Sequence, residues 1–428
     1  MKSIVLVLAG LALISVGAFA LEGDFGVTLD SSSFLSSGVV DTTAESEYKA
    51  TVWGELFQAT DQGGSLDLIA QGSYRYTADR PYIFDLDLLR FTGLFSSALG
   101  AGTAVEVKAG RLDFSDETKL ILDQTLDGVQ LNMLFSGFQI RLAGAYSGLL
   151  LNPSSNVRIS ADDYLEVNDN SVFFGPKRII TQAFIGSDGF ALQALAQFDM
   201  RGNTATELIN TQYLGIVGTP RLSPNFYLPY HLTASYGQST VGSKTTNLVS
   251  ALAGLGLQFY AEELAASRAH ILVTYATGFT PVVLLLNNVS FDNFRPISSP
   301  TIGLVFSPRL ANLLYLDVGY SFRPFVNNPS SIVSNIEPLV AARVFFRDPV
   351  PLLLNGTAAD ILVTDVNPNS NALYLGTEIE AGVVARLFSD LGLSIRGAAF
   401  LPSTGSSAAF TSNRGIGYAL KIDVSAAL

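Results

Sequence analysis

The chain has 428 residues, with 25 Lys or Arg against 37 Asp or Glu, a net charge of −12, two His and no Cys. That balance excludes a basic nucleic-acid surface, a disulfide-stapled fold, a thiolate metal centre and a cluster of histidine ligands. Charged residues are 14% and hydrophobic ones 48%, where an ordinary soluble domain carries roughly 25% charge.

The first twenty residues read as a secretory signal peptide. Lys2 supplies the positive end, Ile4 to Val16 the apolar run, and Ala18-Phe19-Ala20 the small residues before a cleavage after Ala20. The apolar run is shorter than the about 20 residues of a membrane helix. A retained N-terminal helix is the alternative reading. Further along, no apolar stretch reaches the length of a helical span. An exported, weakly charged chain of this kind is expected to close into a β-barrel, with lipid on one face of each strand and water on the other.

The strands announce themselves by alternation with a period of two. In 65–77, Leu66, Leu68, Ala70, Tyr74 and Tyr76 oppose Asp67, Gln71, Ser73 and Arg75. Around 105–111, Val105, Val107 and Ala109 take the lipid side. Arg111 continues their parity, at a cost of about 2–4 kcal/mol in mid-membrane. A bulge near Gly110 that turns Arg111 inward, or a position at the membrane edge, would avoid that cost. In 190–199, Phe190, Leu192, Ala194, Ala196 and Phe198 oppose Gln193, Gln197 and Asp199. Leu375, Thr377, Ile379, Ala381, Val383, Ala385 and Leu387 share a lipid face opposite Glu378, Glu380 and Arg386. Leu391, Leu393, Ile395, Ala399 and Leu401 oppose Ser394 and Arg396. In the last strand Ile416, Tyr418, Leu420, Ile422, Val424, Ala426 and Leu428 oppose Lys421 and Asp423.

Short turns are expected at 61–64, 135–137, 186–189, 307–312 and 388–392, and long outer loops at 151–178, 285–296, 326–335 and 403–414. The stretch 348–372 needs an extra strand, Ala359–Asp365, to preserve parity. The loop 151–178 carries Asp162, Asp163, Glu166 and Asp169. A solvated external loop is the first expectation for it; a pore constriction or a calcium site through oxygen ligands are the others. These elements make the fold all-β: a transmembrane antiparallel barrel of about eighteen strands, within a range of sixteen to twenty. Residues 1–20 are the signal peptide and 21–428 a single barrel domain. A secreted sandwich, β-helix or propeller is the soluble alternative.

The polar faces give the candidate pore lining: Arg75, Asp85, Asp87, Arg141, Asp199, Arg201, Asp317, Arg323, Glu378, Glu380 and Arg396. Asp67, Glu106, Lys108 and Lys421 share that face. Opposed charges across a water-filled lumen would set a transverse field and orient polar solutes, while each single charge could equally serve to cross-link the wall. No serine-hydrolase elbow, zinc-protease motif or P-loop occurs, and His231 and His270 fall on different strands. The sequence therefore points to no enzyme, no cofactor and no metal.

Taken together, the chain resembles Gram-negative outer-membrane β-barrels of the porin type over all of 21–428. The final strand, "GIGYALKIDVSAAL", resembles the C-terminal signal read by the barrel-assembly machinery. That signal ends in an aromatic residue where this chain has Leu428. The segment 109–131, "AGRLDFSDETKLILDQTLDGVQL", is similar to a strand pair of alginate-export-like porins, which implies lumen arginines that hold carboxylated sugars. The segment 306–322, "FSPRLANLLYLDVGYSF", resembles strand pairs of spirochaete outer-membrane proteins. The resemblance implies an outer-membrane location reached by export. It implies lipid, the assembly machinery, periplasmic chaperones and small polar solutes as partners, with a homo-oligomer left open. Passive diffusion of small polar solutes through a charged lumen is the expected function. A non-channel adhesin or structural barrel, and a transporter of hydrophobic solutes, are the alternatives.

Overall fold

An alternating strand satisfies lipid on one face and water on the other, but its backbone N–H and C=O groups need a neighbour on each side, so the sheet must close. The computed structural model, which describes residues 21–37, 43–60, 63–80, 82–166, 169, 171–187, 189–202, 205–278, 289–328, 332–347, 367, 370, 372–411 and 414–428, shows that closure. The expected signal peptide and the expected strand Ala359–Asp365 lie outside these residues.

The strands in chain order are β1 (Leu21–Ser37), β2 (Thr43–Ala59), β3 (Ser65–Thr77), β4 (Ile83–Ser96), β5 (Ala104–Ser115), β6 (Asp123–Leu134), β7 (Gln139–Tyr146), β8 (Arg178–Ser187), β9 (Phe190–Asp199), β10 (Leu208–Gly218), β11 (Arg221–Ser223), β12 (Phe226–Tyr227), β13 (Tyr230–Val241), β14 (Lys244–Ala261), β15 (Ser267–Ala276), β16 (Val289–Phe291), β17 (Leu313–Ser321), β18 (Ile336–Arg347), β19 (Tyr374–Arg386), β20 (Leu391–Pro402) and β21 (Gly417–Ala427). Setting aside the short β11, β12 and β16, these make a closed antiparallel barrel of 18 strands. β21 returns to β1, with Asp423 opposite Ser32 and Lys421 opposite Phe34. No described helix is long and apolar enough to cross a membrane. Short turns at 60–64, 97–103, 135–138 and 387–390 gather at one end, called here the turn end. The long connections 147–177, 277–312 and 403–416 gather at the other, the loop end.

The alternation holds strand by strand. Phe190, Leu192 and Phe198 are exposed on the outside of β9 while Gln193 and Gln197 are buried inside it. Tyr418, Leu420 and Val424 face outward on β21. Two departures come from glycine. At Gly110, φ is 115° and an added Cβ would lie 2.0 Å from the Leu89 carbonyl oxygen, so only glycine fits. The strained step carries Arg111 out of the lipid-facing row. Its guanidinium grips both carboxylate oxygens of Asp127, at 2.9 and 2.8 Å. At Gly376, φ is 154° and the register with β18 slips between Phe345 and Phe346. Leu375, expected on the lipid face, is therefore fully buried inside, and Tyr374 is exposed in its place.

Two connections differ from expectation. The segment 307–312 is not a tight turn. It ends the long 277–312 connection, with Leu310 and Ala311 buried, because these apolar residues have a core to enter. Counting it as a turn adds a false crossing, which is why 326–335 was expected among the outer loops. That stretch joins β17 to β18 at the turn end.

Candidate permeation path

The lumen divides into two sectors. One is filled. Loop residues Ile121, Leu122, Leu150, Val157, Ile159, Phe294, Ile297, Phe306 and Phe410 form one apolar core with inward residues of the wall such as Leu112, Leu126, Ile180, Tyr213, Tyr315, Phe345 and Phe400. Every one of these loop residues comes from a loop-end connection. The loop 151–178 is therefore not a solvated external loop. Its Val157 and Ile159 join Ile297 and Ile121 in that buried core, because packing apolar side chains there removes them from water. The three connections 116–122, 147–177 and 277–312 are tied together by backbone bonds. Ile297 and Ser298 both donate to the Ile121 carbonyl, and Arg158 donates to that of Ile297.

Charge fixes this body to the wall. Arg178 at the start of β8 is fully buried and pairs with Asp163 at 2.8 Å and Asp199 at 3.2 Å. It also donates to Gln197 at 2.9 Å. Arg201 completes the network, at 2.6 Å from Asp199 and 3.1 Å from Asp163. Asp163 sits on the short helix α1 (Ala161–Glu166), so the arginines clamp loop to strand. Of the loop carboxylates, Asp163 is spent on arginine, Asp162 on Arg201 and Thr206, and Asp169 on its neighbour Ser171. No cluster of three or more acidic or histidine side chains that could hold a metal is found among the described residues. That removes the reason to read the loop as a calcium site. A second clamp is Glu378. Its buried carboxylate accepts the backbone N–H groups of Leu304, Val305 and Phe306 at 2.7, 3.0 and 2.7 Å. The Phe306 ring then stacks on Phe400, centroids 4.2 Å apart, with Phe345 and Phe410 at its edges. Arg343 neutralises the site, reaching Asp317 at 3.3 Å, Glu378 at 3.3 Å and Glu380 at 2.8 Å.

The other sector is open. No residue of the filled core comes from β1–β4 or β21. Their inner faces border a cavity of about 940 Å³ touched by Ser32, Glu47, Arg75, Pro153, Lys421 and Asp423. A smaller one of about 300 Å³ is touched by Lys49, Arg75, Asp87 and Ser154. A third, of about 540 Å³, lies toward the turn end between β1 and β19–β21. Ion pairs here keep partial exposure, Lys49 to Asp87 at 2.8 Å and Lys421 to Asp423 at 3.4 Å, and Arg396 reaches from the open side to the buried Glu380 at 3.7 Å. The register sets cations side by side, Lys49 opposite Arg75 and Lys421 opposite Arg396.

The expected lining residues thus separate. Arg75, Asp85, Asp87 and Arg396 border the open sector, Arg75 bonding the Ser154 hydroxyl at 2.7 Å and Ser154 donating to Asp85. Glu380 stands at the border. Asp199, Arg201, Asp317 and Glu378 serve the filled sector. Arg141 bridges β7 to Glu117 of the 116–122 connection at 3.1 Å. Arg323 lies beyond the end of β17, in the turn-end connection. The sequence reading missed Lys49, Asp127, Arg178 and Arg343, and it named Asp163 only among the loop acids, not as a clamp. Lys49 was within reach, since Glu45, Glu47, Lys49 and Thr51 alternate with Tyr48, Ala50 and Val52. Arg178 was not, because its partners Asp163 and Asp199 come from separate elements.

No family model and no curated protein sequence matches the chain. Solved structures do match its shape. Pseudomonas aeruginosa OccK2 (OpdF) superimposes with a TM-score of 0.58 at 11% identity, over 95% of this chain and 98% of that one. Pseudomonas aeruginosa OpdL gives 0.55 at 13%, over 95% and 99%. OccK2 in complex with glucuronate gives 0.56 at 12%, over 95% and 98%. At these identities the likeness establishes the fold, which is the Gram-negative outer-membrane barrel of porin type.

Proposed function

We propose that the protein is an outer-membrane channel for passive diffusion of small polar solutes, conducting along the open sector of its lumen. The observation that carries this reading is the asymmetry of the interior. Loops pack against β5–β20 at the loop end, whereas β1–β4 and β21 contribute nothing to that core and border water-accessible cavities. A barrel of this strand number leaves an aqueous lumen unless something fills it, and here the filling stops short of one side. The cations Lys49, Arg75, Lys421 and Arg396 stand along that side with Asp87, Asp423 and Glu380 among them. Such a row would draw in a solute bearing a carboxylate and hold it weakly enough to release it. Glucuronate bound to a barrel of like fold suits that chemistry. In this reading the turn end faces the periplasm, the long connections face outward, and the leader of residues 1–20 directs export.

The test is electrical. The protein lacking its leader, in a planar lipid bilayer, should give stable stepwise conductance with a measurable ion preference. A heat-modifiable barrel that stays silent would sink the channel reading. It would favour a surface or structural barrel, the alternative to which the loop-filled sector lends weight.

A further inference from the structure

The chain has one tryptophan, and it stands inside the barrel on the open side. Trp53 faces inward on β2 with Lys49 and Thr51, while Val52 between them is exposed to the outside. Across the strand pair it meets Gly26 on one side and Gln71 on the other. A Cβ added at Gly26 would come within 2.7 Å of the indole Cζ2 and 2.8 Å of Cε2 and Nε1. The indole therefore lies against the bare backbone of Gly26, a seat that a larger residue would deny. Trp53 is only half-buried, and its N–H finds no acceptor among the described residues. A buried indole N–H is normally satisfied, so this donor is left for water or a solute.

From this we infer that Trp53 is a stacking platform for a pyranose ring in the permeation path. This deepens the channel reading and rests on it for its place in transport. A pyranose offers a C–H face that packs on an aromatic ring and a rim of hydroxyls that need both donors and acceptors. The Trp53 surroundings supply each: the flat indole, its free N–H, and, on the same inner strip, the Gln71 amide and the Glu55 carboxylate. Lys49 stands four residues up the strand, about 13 Å away at 3.4 Å per residue. The Lys49 ammonium is already held by Asp87 at 2.8 Å, so a carboxylate on a ring seated at Trp53 would have to displace that pair. The platform therefore selects for the ring and not for charge.

The single tryptophan makes the test direct. Emission of the protein in detergent should be quenched or shifted by both D-glucose and D-glucuronate, to a similar extent. In bilayers, glucose should interrupt the ion current of the wild type. Trp53→Ala should weaken that blockade about tenfold, the equivalent of one lost stacking contact, and Trp53→Phe should retain most of it. Unchanged emission with either sugar from a folded, conducting protein overturns the platform. So does a current blockade by glucuronate alone that survives in Trp53→Ala, which would assign binding to the cations. A protein that is silent in bilayers while its emission still responds to glucose defeats the channel reading and leaves the ring site standing. Should Trp53→Ala fail to fold, Trp53→Phe and the wild-type emission still decide.

Discussion

The filled and open sectors are made from the same kind of strand, yet they use charge in opposite ways. Around Arg178 the ions are sealed from water and each one is needed to neutralise another. Around Lys421 and Asp423 both side chains remain about one-third exposed. Buried ions are costly unless paired, and removing one partner strands the rest. Exposed pairs contribute little to stability and keep their fields available to a passing solute. Position in the lumen, not residue type, decides whether a charge acts as a fastening or as a lining.

Breaking a fastening should give the largest effect. Arg178→Ala leaves Asp163 and Asp199 sharing Arg201 alone, and should destabilise the barrel by about 3–5 kcal/mol. The unfolding temperature, read from the heat-dependent shift in gel mobility, should fall clearly. An unchanged midpoint would mean that the cluster is hydrated and that the two sectors do not differ as described. Next comes Phe306→Ala, which empties the seat among Phe345, Phe400 and Phe410 at a cost of about 3–5 kcal/mol locally. The loss falls on the docking of one connection and not on the strands. Single-channel conductance should therefore rise or become noisy while the barrel's unfolding midpoint moves less than in Arg178→Ala.

Charges on the open side should behave in the reverse manner. Lys421→Ala and Arg396→Ala should each change stability by no more than about 1 kcal/mol. Both should shift the reversal potential in a salt gradient toward cations, because acidic neighbours Asp423 and Glu380 lose their counter-charge. A selectivity unchanged by both substitutions would place the path elsewhere in the barrel.

The barrel was legible in the sequence because each strand carries its own evidence: the inside and the outside differ chemically, and the difference recurs every second residue. The filling was not, because its determinants are pairs distant along the chain. Nothing near Asp163 reveals that Arg178 and Arg201 will surround it, and nothing near Glu378 reveals that three N–H groups of 304–306 will come to it. Acidic residues in a long polar loop look alike whether they end in water or in a guanidinium. Glycine marked two of the places where parity breaks. At Arg111 the conflict between charge and lipid flagged the break. At Leu375 an apolar residue fitted both faces, so no conflict was visible.

The smallest expected effect concerns the filled sector itself, where loop 147–177 touches the 200–207 connection. Hydrogen bonds from the Thr206 hydroxyl and backbone N–H hold the Asp162 carboxyl below its ordinary value of 3.8. Burial raises the Glu166 carboxyl above its ordinary 4.5. The two act with opposite sign. A depressed carboxyl stabilises the docked loop fully above 3.8, and that contribution is lost as pH falls through the docked value. A raised carboxyl does the reverse, so docking weakens as pH climbs from 4.5 through the docked value of Glu166. Protection of the 157–166 amides in hydrogen exchange, corrected for intrinsic rate, should therefore pass through a shallow maximum between these two ordinary values. Glu166→Gln should abolish the fall on the alkaline side and leave the acid limb in place, whereas Asp162→Asn should remove the acid limb alone. If neither variant alters the profile, the pH response of the loop belongs to other groups, and the contact with Thr206 contributes nothing measurable to holding the filled sector in place.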